Sequence, residues 1–266
     1  MEKSRLKKAD ELKDRLAGLR PLNAGEIKRL REEFIIENTY DTNAIEGSTL
    51  TLRETALILQ EDITIGEKPL RMHLDAIGHR DAFWYMLDIA SAGEPLTEHG
   101  IKELHTLVLM GDAANRGAYR GVPVTIRGAI HTPPLPYLVA PQMEALLAEY
   151  GNIKRDKHII EAIAEFHLRF EGIHPFINGN GRTGRLILNL ELMKAGFLPV
   201  NIKYTDRRKY YDCFDDYYGE RQTPDTLAEL IIGYETAELE RYIQIIEAAK
   251  PRSPARGAPA SSPVVK

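Results

Sequence analysis

The stretch His174-Pro175-Phe176-Ile177-Asn178-Gly179-Asn180-Gly181-Arg182-Thr183-Gly184-Arg185 breaks an otherwise strongly periodic region. On its N-terminal side Ile159, Ile163, Phe166 and Phe170 step by three or four. On its C-terminal side Leu186, Leu190, Met193 and Phe197 do the same. Both series predict helices, so the break is a helix–loop–helix turn. Its glycines admit positive φ and let several N–H groups approach one point. The second helix is expected to begin near Gly181, adding its positive end to that point. The turn is therefore a ready anion cradle, and phosphate is the usual anion. Arg182 and Arg185, at i and i+3, are expected to share a face and grip further phosphate oxygens. His174 at the loop entrance supplies a side chain that titrates near neutrality. A cradle, cations and a base are what phosphoryl or nucleotidyl transfer requires.

Gly179, Gly181 and Gly184 also spell G-x-G-x-x-G, with Asp206 further on. A dinucleotide fold would need a strand before the loop, and the Ile159–Phe170 spacing is helical. A Gly-Lys-Ser/Thr phosphate loop does not occur in the sequence.

Outward from the turn, helical patterns dominate. Lys3 to Leu19 is charged and helical, with Pro21 as its stop and Asn23 as a cap for a second helix through Leu30, Phe34 and Ile35. Thr51 and Glu54 have capping-box spacing. Lys68 to Ala90 is helical, Thr97 caps a helix through Ile101, Leu104 and Val108, and Pro141 is read as a first-turn proline. Asp206–Tyr218 and Thr223–Ala249 complete the set. Between Tyr119 and Pro134, Val122, Val124 and Ile126 alternate with period two among glycines and prolines, which predicts a short strand or hairpin turning at Gly128. From Lys250 on, the Pro- and Ser-rich tail is expected to be disordered. The expected fold is mainly α with one small β excursion.

The composition is compatible with this. The chain has 266 residues, 43% of them apolar. One cysteine, Cys213, excludes an intrachain disulfide and any multi-cysteine zinc site. A net charge of −4 offers no basic field for nucleic acid or a membrane surface. Met1 to Arg20 lacks the apolar region of a signal peptide, and no run is long enough for a membrane span. A cytoplasmic location is expected, with no nucleic-acid or membrane partner.

The loop His174–Arg185 resembles the signature H-x-F-x-[D/E]-G-N-G-R-x-x-R of the Fic (Fido) family of adenylyltransferases. Thr42-Asn43-Ala44-Ile45-Glu46-Gly47 resembles the inhibitory motif [S/T]-x-x-x-E-[G/N], placed N-terminally as in the family's second class. Gly117-Ala118-Tyr119-Arg120 and the stretch after it resemble the family's β-hairpin flap. The resemblance implies a Fic-type helical bundle with a small β-hairpin flap. It implies an N-terminal helical region over 1–95 carrying the inhibitory motif (42–47). A core follows over 96–235 with the flap (119–134) and the loop (174–185), then a C-terminal helix end over 236–249 and a tail over 250–266.

The activity so implied is transfer of AMP from ATP to a hydroxyl side chain of a target protein, with Mg²⁺ expected alongside ATP. By position, His174 would be the general base and Phe176 would fix the loop. Gly179, Asn180 and Gly181 would seat the α-phosphate. Arg182 would hold the α/β-phosphates, Arg185 the γ-phosphate, and Tyr211 would lie near the adenine. Backbone of Thr125, Ile126, Arg127 and Gly128 would pair with a target segment. Glu46 would occupy Arg185 and block the productive ATP pose. Asn178 stands where the family carries an acidic metal ligand; a carboxamide brings no charge, so metal binding there should be weak.

Removal of AMP, another phosphate donor, and a non-catalytic ATP-sensing role stay open as alternatives. So do self-modification and a homodimer. His131 is a candidate target or nucleotide contact. His73, His79, His99, His105, His158 and His167 are read as packing or surface residues, and Arg207-Arg208-Lys209 as a solvated face.

Overall fold

The structure, a computed structural model, describes residues 3–19, 24–219 and 221–248. The expected stop at Pro21, the cap at Asn23 and the tail from Lys250 lie outside those residues. Ten α-helices are described: α1 (Lys3–Ala17), α2 (Ala24–Ile45), α3 (Leu52–Glu61), α4 (Leu70–Ala92), α5 (Glu98–Val108), α6 (Pro136–Asp156), α7 (Ile159–Ile173), α8 (Asn180–Lys194), α9 (Arg207–Tyr218) and α10 (Asp225–Ala248). No strand occurs among the described residues, and none of their helices is long and apolar enough to cross a membrane.

Helices α7 and α8 are central: most residues of each are buried, including polar ones such as His167 and Glu171 on α7 and Asn180, Arg182, Arg185 and Asn189 on α8. Phe166, Phe170, Leu186 and Leu190 join one core with Phe34, Phe83, Ile101, Leu104 and Met143. Ile160, Ile163, Leu188 and Leu192 join a second with Leu6, Tyr210, Leu227, Ile231 and Leu239. The loop between α7 and α8 is thus held from both sides. Two of the expected caps form as read: Thr51 and Glu54 make a reciprocal capping box on α3, and Thr97 accepts from Gly100 N–H on α5.

Two expectations are corrected. Pro141 lies inside α6, and Pro136 takes the first-turn position instead. The β-hairpin flap does not form either. Segment 119–134 is irregular, with one turn where Ala129 N–H donates to Ile126 O and Gly128 sits at φ 83°. Its period-two pattern has no core to face: Val122 is 52% and Ile130 59% exposed. Pro123, Pro133 and Pro134 cannot donate to a ladder. The two arms are joined through Arg120, whose guanidinium donates to Val122 O (3.1 Å) and Pro134 O (2.6 Å).

Candidate active site

The α7–α8 loop owes its shape to side chains that bond its backbone. His174 closes α7 in the left-handed region (φ 50°), its N–H donating to Phe170 O. A side chain costs about 1–2 kcal/mol there, so something must hold it. Arg120 does so: its Nε donates to His174 O at 2.8 Å, its Nη2 to Ile173 O at 3.3 Å. Phe176 is fully enclosed and stacks on His105 with centroids 3.6 Å apart. Asn180 clamps Phe176, accepting from its N–H and donating to its carbonyl, both at 2.9 Å. His105 Nε2 faces Asn178 O at 2.9 Å and its Nδ1 faces Gly117 N–H at 2.9 Å. The first therefore donates and the second accepts. Gly179, at φ 77°, caps α8, and a Cβ there would press on the His105 ring. These contacts leave first-turn N–H groups of α8 with no acceptor inside the helix.

A cavity of about 320 Å³ opens beside that helix start. Glu171 and His174 border it from α7, and Gly181 and Arg185 from α8. Glu46 follows α2, Tyr210 and Tyr211 belong to α9, and Ile126, Arg127 and Gly128 come from the 119–134 segment. A Cβ at Gly181 would lie 2.2 Å from Glu46 Oε1, so any side chain there would displace the Glu46 carboxylate. Thr125, Asn178, Gly179, Asn180 and Arg182 do not border the cavity. Tyr211 is half-exposed and donates to Ile45 O at 3.1 Å.

The two arginines separate. Arg185 Nη2 meets Glu46 Oε1 at 2.7 Å, while its Nε donates to Thr42 Oγ1 at 2.8 Å and its Nη2 to Thr42 O at 3.2 Å. Its guanidinium lies 5.6 Å from the Tyr210 ring centre. Arg182 instead pairs with Asp75 of α4 at 2.8 Å and donates to Asn43 Oδ1 at 3.3 Å. Helical spacing placed both on one side of α8, but only tertiary neighbours decide which guanidinium meets the cavity.

Burial pushes the Glu46 carboxyl up, and the charges of Arg185 and then Arg182 outweigh it, holding the group below its ordinary range. The pair is asymmetric: the Glu46 side chain stays 35% exposed and that of Arg185 only 6%. A solvent-borne anion can therefore contest the arginine from the side Glu46 occupies. Burial lowers the His174 imidazole to about 4, so it is neutral at pH 7 and able to accept a proton.

No described group of three His, Cys, Asp or Glu could hold a metal ion. Asn178 Oδ1 already accepts from Gly179 N–H at 2.8 Å. The residues present do not fit a metal centre held by carboxylates of the chain.

Three contributors were not singled out as site residues in the sequence: Asp75, His105 and Glu171. Asp75 and His105 act from distant helices, where spacing conveys nothing, and Glu171, one turn before His174, showed only a helical position.

Residues 95–192 match the model of the Fic/DOC family. A protein adenylyltransferase Fic of Nematostella vectensis is 36% identical over 219 residues, 80% of this chain and 50% of that protein. The chain thus spans about half the length of this relative. Among solved structures, Fic-1 (residues 134–508) of C. elegans superimposes with a TM-score of 0.82 at 27% identity, covering 93% of this chain and 73% of that one. A Fic-domain signalling protein of Bacteroides thetaiotaomicron gives 0.81 at 25% identity, covering 92% and 97%.

Proposed function

This chain belongs to the Fic/DOC family through the domain over residues 95–192, and on that premise we propose that it is a protein adenylyltransferase held in check by Glu46. The target hydroxyl attacks the α-phosphorus of ATP, the new O–P bond forms as the bond to pyrophosphate breaks, and His174 takes the hydroxyl proton. First-turn amides of α8, with Gly181 bordering the cavity and Asn180 beside it, seat the α-phosphate and meet its growing charge; the Gly179 N–H is already taken by Asn178 Oδ1. Arg185 takes the γ-phosphate. Arg182 adds positive potential from its place beside Asp75 and Tyr211 lies along the adenine; any Mg²⁺ would have to come with the nucleotide, since no described cluster of carboxylates is placed to hold it.

The segment Thr125–Gly128 offers backbone to an extended stretch of the target. Its lack of an internal strand partner supports this, because an unpaired segment can accept one.

The observation that carries the reading is the convergence on one cavity of a neutral imidazole, a bare helix start and an arginine. The pair Glu46–Arg185 at 2.7 Å supports the restraint: carboxylate and γ-phosphate compete for one guanidinium. Asn178 favours a second reading, nucleotide binding without turnover.

Incorporation of α-labelled ATP into protein separates these. Glu46→Gly is expected to raise it at least tenfold over wild type, and adding His174→Ala to abolish it, a loss of about 10²–10⁴. No label from Glu46→Gly, with nucleotide still bound, would establish the binding-only role. Equal label from Glu46→Gly and wild type would remove the restraint. Label from γ-labelled ATP would mean phosphate transfer instead. Mass spectrometry of the labelled protein identifies the modified residue.

A further inference from the structure

Glu171 sits one turn before His174 on α7 and borders the same cavity, yet nothing in the reaction above uses it. It is only 8% exposed, and its Oε1 is enclosed without a hydrogen-bond partner. That oxygen fills the space left by Gly184: a Cβ there would lie 2.4 Å from it. The third glycine of the loop, at an open position of the signature, thus makes room for a carboxyl between α7 and α8. A charged carboxylate so placed would be both desolvated and unpaired, which is costly.

Charged and titratable groups that share its cavity are Glu46 just after α2, Arg185 from α8, Asp215 from α9, and Arg127 and His131 from the 119–134 segment. His167 and His174 lie on its own helix, and Tyr210, Tyr211 and Tyr218 on α9. Burial, with Glu46 adding to it against Arg185, raises the Glu171 carboxyl to about 8. The group therefore carries a proton at neutral pH, and a phosphate beside it would strengthen that hold.

We propose that Glu171 is a phosphate-binding residue of this cavity: with Oε1 enclosed at Gly184, its protonated Oε2 donates a hydrogen bond to a phosphate oxygen of the bound nucleotide. The inference rests on the nucleotide site proposed above. Binding should then weaken as Glu171 ionises, since the donor becomes a repelling anion.

The test is calorimetric binding of α,β-methylene ATP, which cannot transfer AMP, to Glu46→Gly, Glu46→Gly/Glu171→Gln and Glu46→Gly/Glu171→Leu. Measurements run at pH 6.5 and pH 9, with a thermal melt of each protein. Comparing proteins at one pH cancels the nucleotide's own titration. Between the two pH values, Glu46→Gly should lose about tenfold more affinity than the Gln variant, which keeps a neutral donor at both. At pH 8, in two buffers of different ionisation enthalpy, Glu46→Gly should take up a larger fraction of a proton on binding than the Gln variant. At pH 6.5 the Leu variant should bind about 10–100-fold more weakly than Glu46→Gly. Equal pH slopes and equal proton uptake in Glu46→Gly and the Gln variant overturn the proposal, whether or not the Leu variant folds. A Glu46→Gly protein that binds no nucleotide at any pH overturns the nucleotide site itself, and this proposal with it.

Discussion

Asp75 holds Arg182 at 2.8 Å, and the two side chains are only 16% and 3% exposed. Removing one partner of such a pair strands the other's charge. Asp75→Asn is therefore expected to destabilise the fold by about 2–4 kcal/mol, read as a shift in urea midpoint. A change under ~0.5 kcal/mol would mean that Arg182 finds another partner. Glu46 is the opposite case. Its side chain is 35% exposed, and without it the buried Arg185 keeps its bonds to Thr42 Oγ1 and Thr42 O, so Glu46→Gly should lower the urea midpoint less than Asp75→Asn while raising AMP transfer. A large loss of stability in that variant would make Glu46 a structural residue first. The two acidic residues meet successive arginines of one signature and do different work, and burial separates them.

At the level of elements, one side chain joins both arms of the 119–134 segment to the body. Arg120 is 4% exposed and donates to the carbonyls of Val122, Pro134, Ile173 and His174. It therefore ties both arms of the segment to the C-terminal end of α7, where the helix dipole is negative. Its backbone N–H also donates to Pro175 O at 2.9 Å. Arg120→Ala leaves those carbonyls to water or to nothing, at about 2–4 kcal/mol. Limited proteolysis should then cut first within 121–134, and AMP transfer by Glu46→Gly/Arg120→Ala should fall with it. Cleavage at unchanged rate would show that the segment is held elsewhere, for example by the stack of His131 on Tyr218 at 3.9 Å.

Over the whole molecule, buried titratable groups set the pH range of stability. Burial lowers His79 and His167 to about 3, and His105 and His174 to about 4, from 6.5. The unfolded chain binds these protons first as pH falls. Their contribution is complete above 6.5 and is lost on acidification towards 4 for His105 and His174 and towards 3 for His79 and His167. Glu171 and Glu235 run the other way. Burial raises both to about 8 from 4.5, so their contribution is complete below 4.5 and is lost as pH rises through 8. The histidines outnumber the carboxyls where the windows overlap. Stability should peak near pH 6.5 and be lower, on the order of 2 kcal/mol, at both pH 5 and pH 8. Urea denaturation at the three values checks this, and a monotonic trend would contradict it.

Periodicity alone determined that the chain is helical and where α7 and α8 run, because a helix repeats every 3.6 residues and its buried face must repeat with it. The signature between them marked the cradle, and Thr42–Gly47 marked the acidic residue that meets Arg185. Alternation over Val122–Ile126 misled, since a strand needs a partner and a face to bury, and local pattern supplies neither. What only the tertiary structure decided is which groups share a cavity: Arg185 but not Arg182, and Glu171, Tyr210 and the Arg120 fork's support. Those outcomes depend on contacts between residues far apart in the chain, on burial and on the charges that burial brings together, and none of these is written in the spacing of a single segment.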